Sequence, residues 1–171
     1  GSEMCIRDRG YTSGQDEEVL FTDAGAEFRR SFGGLSVKTQ VVISPEDDVE
    51  LRRLTLIHRG RKPRSLELTT YAEVVLAPDA SDLAHPAFSN LFIQTELAPE
   101  RDAILCHRRP RSPDEPGPCL FHMMVVHGDN RHNVSFETDR ARFIGRGRNP
   151  ANAQAIETGG MLDNTSGSVL D

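Results

Sequence analysis

LSVKTQVVISPEDDVELRRLTLIHRGRKPRSLELTTYAEVVLA, residues 35–77, decides the fold class. Leu35, Val37, Thr39, Val41 and Ile43 recur at every second position, with Ser36, Lys38 and Gln40 between them. A period of two places one set of side chains on one face of an extended strand, and no helical period fits the same residues. Ser44-Pro45-Glu46-Asp47-Asp48 stops the run with turn formers. Val49 and Leu51 then share a face, but beyond Arg52-Arg53 the apolar positions are Leu54 and Leu56, so the parity slips by one. A β-bulge at the arginine pair would return both sets to one side, and the sequence predicts one there. Arg59 to Arg64 reads as a solvated hairpin loop, after which Leu66, Leu68, Thr70, Ala72, Val74 and Leu76 predict a second inward row.

Outward from this pair, further short strands are expected at Val19–Thr22, Glu27–Phe32, Asn90–Leu97, Ala103–His107, Asn133–Glu137 and Arg142–Ile144. Asp23-Ala24-Gly25 and Gly33-Gly34 supply turns between the first of them. Residues 78–87 read as a loop stiffened by His85-Pro86, and the proline-rich residues 108–118 as an exposed loop. Cys119 to His127 is a continuous apolar run, the pattern of a strand buried on both faces. Ala151–Ile156 is the one helical turn expected in the glycine-rich tail. Many short strands without a long helix or an internal repeat predict an all-β, antiparallel sandwich.

At 171 residues the chain has room for one domain. GSEMCIRDR, residues 1–9, has no periodicity and reads as a non-native leader, which leaves residues 10–171 as the β domain. A net charge of −6 argues against general nucleic-acid affinity, which needs positive surface. No apolar run reaches the ~20 residues of a membrane helix. Three cysteines, Cys5, Cys106 and Cys119, form no disulfide framework and suit a reducing, cytoplasmic setting.

Candidate chemistry is thin. Cys106, His107, Cys119, His122, His127 and His132 could ligate zinc, but His122 and His127 stand an odd number of positions apart on an expected strand and leave opposite faces. No metal site is expected. No Gly-x-Ser-x-Gly elbow is present. Asp47, Asp48, Glu67, Glu73, Asp79, Asp82 and Glu96 could supply a carboxylate pair, though acids in turns and on wet sheet faces explain them as well. His85 is the histidine an epimerase would use for proton transfer. The most specific feature is DRARFIGRGR, residues 139–148: Arg140, Arg142, Arg146 and Arg148 offer forked donors on a glycine-loosened backbone. Two readings stand side by side: carbohydrate or interdomain contact, and an internal salt-bridge loop.

Five stretches, taken in order, carry a family resemblance: SPEDDVE (44–50), ELTTYAEVVLA (67–77), HPAFS (85–89), RRPRSP (108–113) and ETDRARFIGRGR (137–148). Together they resemble the N-terminal sandwich of glycoside hydrolase family 94, formerly glycosyltransferase family 36. Within it they resemble most the phosphorylase-like module of cyclic β-1,2-glucan synthases. The resemblance implies a galactose-mutarotase-like super-sandwich, here expected to be truncated at both ends. It also implies an α/α barrel outside this chain that holds the catalytic acid and uses inorganic phosphate as co-substrate in inverting phosphorolysis of β-glucosides. None of the family's catalytic residues has a position here, and no cofactor is implied. The implied role is a non-catalytic sandwich that scaffolds the barrel and contacts β-glucan. The family also implies a homodimer through the parent and tethering of that parent to the inner membrane by other domains. The alternatives are a self-sufficient carbohydrate-binding module, which the absence of Trp disfavours, and the sugar epimerase built on His85.

Overall fold

The computed structural model describes residues 2–5, 17–110, 112, 117–128, 133–167 and 169. Gly1 and residues 6–9 of the expected leader, Arg111 and residues 113–116 of the proline-rich loop, and His132 lie outside them. The chain divides into two compact units, residues 8–66 and residues 1–7 with 67–171.

The first unit is a four-stranded antiparallel meander of β2 (Glu17–Thr22), β3 (Gly25–Phe32), β4 (Leu35–Ile43) and β5 (Glu50–His58), in that spatial order. Gly33 and Gly34 form the two-residue turn between Phe32 and Leu35, with φ of 51° and 79°. Two successive positive φ values match the turn to the twist of the strands it joins, and glycine adopts them without a Cβ clash. The alternation expected for β4 is realised in burial from Leu35 to Thr39: Leu35, Val37 and Thr39 are buried and the residues between them partly exposed, but Val41 is only half-buried and Ile43, at the end of the same row, is 69% exposed. Register then aligns Val19, Phe28, Val41, Leu54 and Leu56 on the same face.

The bulge expected at Arg52-Arg53 is absent. β4 and β5 pair without interruption from Ile43–Glu50 to Leu35–His58. The parity slip is absorbed by exposure: Leu51 turns to the opposite face and is 63% exposed. β5 ends the sheet, where burying every apolar side chain is not required.

In the second unit β1 (Ser2–Cys5), from the expected leader, pairs antiparallel with β6 (Thr69–Ala72). β6 is much shorter than the expected run from Leu66 to Leu76, and Leu76 itself has φ 46°, which ends extended backbone. The expected 78–87 loop contains two short helices, α1 (Asp79–Ala84) and α2 (Pro86–Asn90), with proline opening the second as its fixed φ allows. α2 delays the next strand, so β7 spans Ile93–Ala98 and pairs with β8 (Ala103–Arg108), which pairs with β9 (Cys119–Met123).

β9 is a sheet edge, and Phe121, Met123, Val125 and Val126 are exposed, so the doubly buried strand expected at 119–127 is not formed. The expected 133–137 strand reduces to one bridge, Glu137 with Thr165. Arg142–Ile144 is helical, within α3 (Arg140–Ile144). The expected helical turn at 151–156 is found as a 3-10 turn, Pro150–Asn152, followed by α4 (Gln154–Thr158). Phe143, Ile144 and Ala153 make the core between α3 and α4, with Tyr71, Ile156 and Leu162 packed against it. No helix among the described residues is long and apolar enough to cross a membrane.

Candidate functional site

The arginine loop is assembled from its N-terminus. Asp139 accepts a hydrogen bond from the Arg142 N–H at 3.0 Å, capping α3, and its own N–H donates to the Glu137 carboxylate at 2.8 Å. A capping carboxylate satisfies a donor that has no partner inside the helix. Six residues after Asp139, Gly145, at φ 86°, stops the helix. A Cβ there would lie 2.5 Å from Gln154 Oε1, so glycine also allows α3 and α4 to approach. Gly147, at φ 70°, reverses the chain again, and Asn149 caps the 3-10 turn that follows.

Three of the four arginines are tied to carboxylates. Arg140 donates to Glu73 from Nε at 3.3 Å and from Nη2 at 3.2 Å, and the Tyr71 hydroxyl donates to the same carboxylate. The Tyr71 ring stacks on Phe143, with centroids 5.2 Å apart and planes 13° from parallel. Burial pushes the Tyr71 hydroxyl well above the usual phenol range, and the Glu73 charge adds to it. For Arg140 burial acts downward, but the Glu73 carboxylate outweighs it and the guanidinium is held above its ordinary value. Arg142 reaches Asp163 at 3.5 Å and its own cap, Asp139, at 3.8 Å. Arg148 pairs with Glu157 and donates to the Asn152 carbonyl at 3.1 Å. Arg146, between the two glycines, is exposed and has no hydrogen bond or ion pair with any described residue.

The other candidates are dispersed. Glu67 accepts from the Gly160 N–H at 2.8 Å, and Glu96 lies 4.0 Å from His107. With Glu73 committed to Arg140 and Tyr71, these three acids serve separate contacts. Asp82 lies within α1, and Asp47 and Asp48 sit in the β4–β5 turn. His85 closes α1 by donating its N–H to the Ser81 carbonyl at 3.2 Å. His122 meets the Thr70 hydroxyl at 2.8 Å. Cys106 is buried and Cys119 exposed, and burial raises the Cys106 thiol to about 11. Among the described residues no group of three or more His, Cys, Asp or Glu side chains could hold a metal ion.

The partners missed in the sequence are Tyr71, Glu73, Glu157 and Asp163. Glu73 and Arg140 are 67 positions apart, and nothing local pairs them. Asp139 carried a readable signal, a capping residue type four positions before the apolar pair Phe143-Ile144.

The sheets and this carboxylate-held loop define an antiparallel β domain whose most elaborate polar feature is structural. Residues 10–171 match glycosyl hydrolase 94, supersandwich domain, and the chain belongs to that family of sandwich domains from carbohydrate-active enzymes. It is also 37% identical over 158 residues to cyclic beta-(1,2)-glucan synthase NdvB of Rhizobium meliloti (strain 1021). The match covers 92% of this chain and 6% of that protein, so the chain spans a small part of its relative's length.

Proposed function

We propose that the chain is the non-catalytic sandwich of a β-glucan-processing enzyme, supporting an α/α barrel carried elsewhere in the parent and offering Arg146 as its contact to glucan. One observation carries the reading. Arg140, Arg142 and Arg148 are used in ion pairs that hold the 139–148 loop in one shape, and that loop presents Arg146 outward. A guanidinium on a fixed loop loses little entropy when it donates to sugar hydroxyls. The β-1,2 linkage is proposed from the similarity to the Rhizobium synthase. On this reading inorganic phosphate is a co-substrate of the barrel, and the domain works on the cytoplasmic side of the membrane.

Two measurements on the chain test the proposal. Incubated with phosphate and β-1,2-linked glucooligosaccharide, it should release no glucose 1-phosphate, and release above a protein-free control would overturn the non-catalytic assignment. In a two-dimensional amide spectrum the same sugar should shift Gly145, Arg146 and Gly147. Arg146→Ala should abolish those shifts while the remaining peaks stay dispersed. A spectrum indifferent to sugar would remove glucan as the Arg146 ligand.

A further inference from the structure

The arginine loop is anchored at its base as well as along its length. Residues 162–167 run back beside residues 135–139, joined by the parallel bridge between Glu137 and Thr165. The Leu162 N–H donates to Ser135 Oγ at 2.9 Å. The Asn164 N–H donates to the Phe136 carbonyl at 2.9 Å, and the Asn164 amide oxygen accepts the Phe136 N–H at 2.9 Å. This exchange holds Asn164 at φ 54°, a left-handed conformation that asparagine tolerates. Thr165 then donates its hydroxyl to Glu137 Oε2 at 2.6 Å, and the other oxygen of that carboxylate accepts the Asp139 N–H at 2.8 Å. One carboxylate therefore joins this segment to the residue that caps α3. The Gly167 N–H donates to Thr138 Oγ1 at 2.9 Å, the Thr138 and Thr95 hydroxyls meet at 2.8 Å, and Thr95 Oγ1 donates to the Gly167 carbonyl at 3.2 Å. With Thr138 donating to Thr95, each hydroxyl gives its hydrogen once and accepts once, and the ring closes through Gly167. Bonds in such a ring polarise one another, so losing one weakens the rest. Ser166 adds a hydrogen bond to the Thr95 carbonyl at 2.6 Å. A Cβ on Gly167 would lie 2.5 Å from Asp139 Cβ, so glycine lets the segment pass directly against the cap.

We infer that residues 163–167 are a strap that fixes the arginine loop to β7, with Thr95, Glu137, Thr138 and Thr165 as positioning residues for the Arg146 contact. The inference rests on the reading of Arg146 as the contact to glucan. The ion pairs of Arg140, Arg142 and Arg148 hold the internal shape of the loop. The strap instead sets where α3 begins relative to the sheet of β7, β8 and β9, and all of these contacts lie within one compact unit of the chain. Arg142 ties the helix to the same segment through Asp163. Arg146 follows α3 by way of Gly145, so a displacement of Asp139 is carried along the helix to it. A loop free to tilt would offer the guanidinium to sugar in only a fraction of its conformations. The apparent dissociation constant rises as that fraction falls.

Thr165→Val keeps the side-chain shape and removes the hydroxyl. In the sugar-free two-dimensional amide spectrum it should move Asp139, Gly145, Arg146 and Gly147 as well as its own neighbours, and Thr165→Ser should return them. In a titration with β-1,2-linked glucooligosaccharide, the dissociation constant read from Gly145 to Gly147 should rise about fivefold, the equilibrium shift that one lost hydrogen bond causes. Ser166→Ala, at an exposed position, should move the same amides less, and it supplies the same comparison should Thr165→Val fail to fold. A hydrogen bond that only stabilises the fold would lower the urea midpoint yet leave the loop amides and the dissociation constant of the folded chain unchanged. That result, with sugar still shifting the wild-type loop, would overturn the strap and leave the reading of Arg146 standing. A wild-type spectrum indifferent to sugar would overturn the reading of Arg146, and with it the role given to the strap.

Discussion

Tyr71 shows how one residue joins the two polar and apolar halves of the arginine loop. Its ring stacks on Phe143 in the α3–α4 core, while its hydroxyl donates to the carboxylate that Arg140 also grips. Tyr71→Phe keeps the stack and loses the hydrogen bond, and should lower stability by about 1 kcal/mol in a urea titration. The pH dependence distinguishes this from a packing defect. A phenol whose folded pKa is raised contributes stability that is complete below its unfolded pKa, about 10, and is lost as pH rises above it. Tyr71→Phe should therefore flatten part of the alkaline loss of stability, and an unchanged profile would refute the linkage. Cys106 follows the same sign at lower pH, its contribution fading between the ordinary thiol value, about 8.5, and about 11. Alkylation at mildly alkaline pH followed by peptide mass mapping should label Cys119 and spare Cys106, because the reactive species is the thiolate.

At the scale of elements, helix α3 depends on Asp139. Asp139→Ala removes the carboxylate that caps the helix and faces Arg142, and should cost about 1 kcal/mol in the urea midpoint. Asp139→Asn should restore most of the loss, since the amide oxygen caps as well; failure of Asn to rescue would assign the effect to the ion pair instead. The same helix marks a limit of sequence reading. Arg142-Phe143-Ile144 is too short to show a period, so its strand reading followed composition, and the cap that contradicts it, Asp139, lay three residues upstream. β4 was legible because Leu35, Val37 and Thr39 are in fact buried. β5 and β9 were misread for a shared reason: both are sheet edges, and the expectation that apolar side chains must be buried fails where a strand has a free side. The arginines of the site were legible as residue types, but their carboxylate partners lay too far away in sequence to be assigned.

On the scale of the molecule, the four-stranded sheet has two chemically distinct faces. On one, Glu27 accepts from Arg29 at 2.6 Å and from Gln40 at 3.0 Å and pairs with Lys38 at 3.0 Å, while Arg29 also reaches Glu18 at 3.1 Å. Cross-strand contacts of this sort suit a face in water. The other face carries the apolar row, and it is covered unevenly. Leu35 is 3% exposed, but Phe21 is 75% exposed, held only edge-to-face against Phe28 at 6.5 Å, and Val19 beside it is half open. Contiguous exposed apolar surface of this kind binds amphipathic dyes and promotes association. Phe21→Ser should therefore lower native-state fluorescence of an anilinonaphthalene dye while moving stability by no more than about 0.5 kcal/mol, the usual range for surface changes. Leu35→Ala, on the buried part of the same face, should cost about 2–5 kcal/mol and raise dye binding instead. Opposite signs from two residues of one face would locate its open end at β2; equal dye binding by wild type and Phe21→Ser would mean that the apolar row is shielded along its whole width.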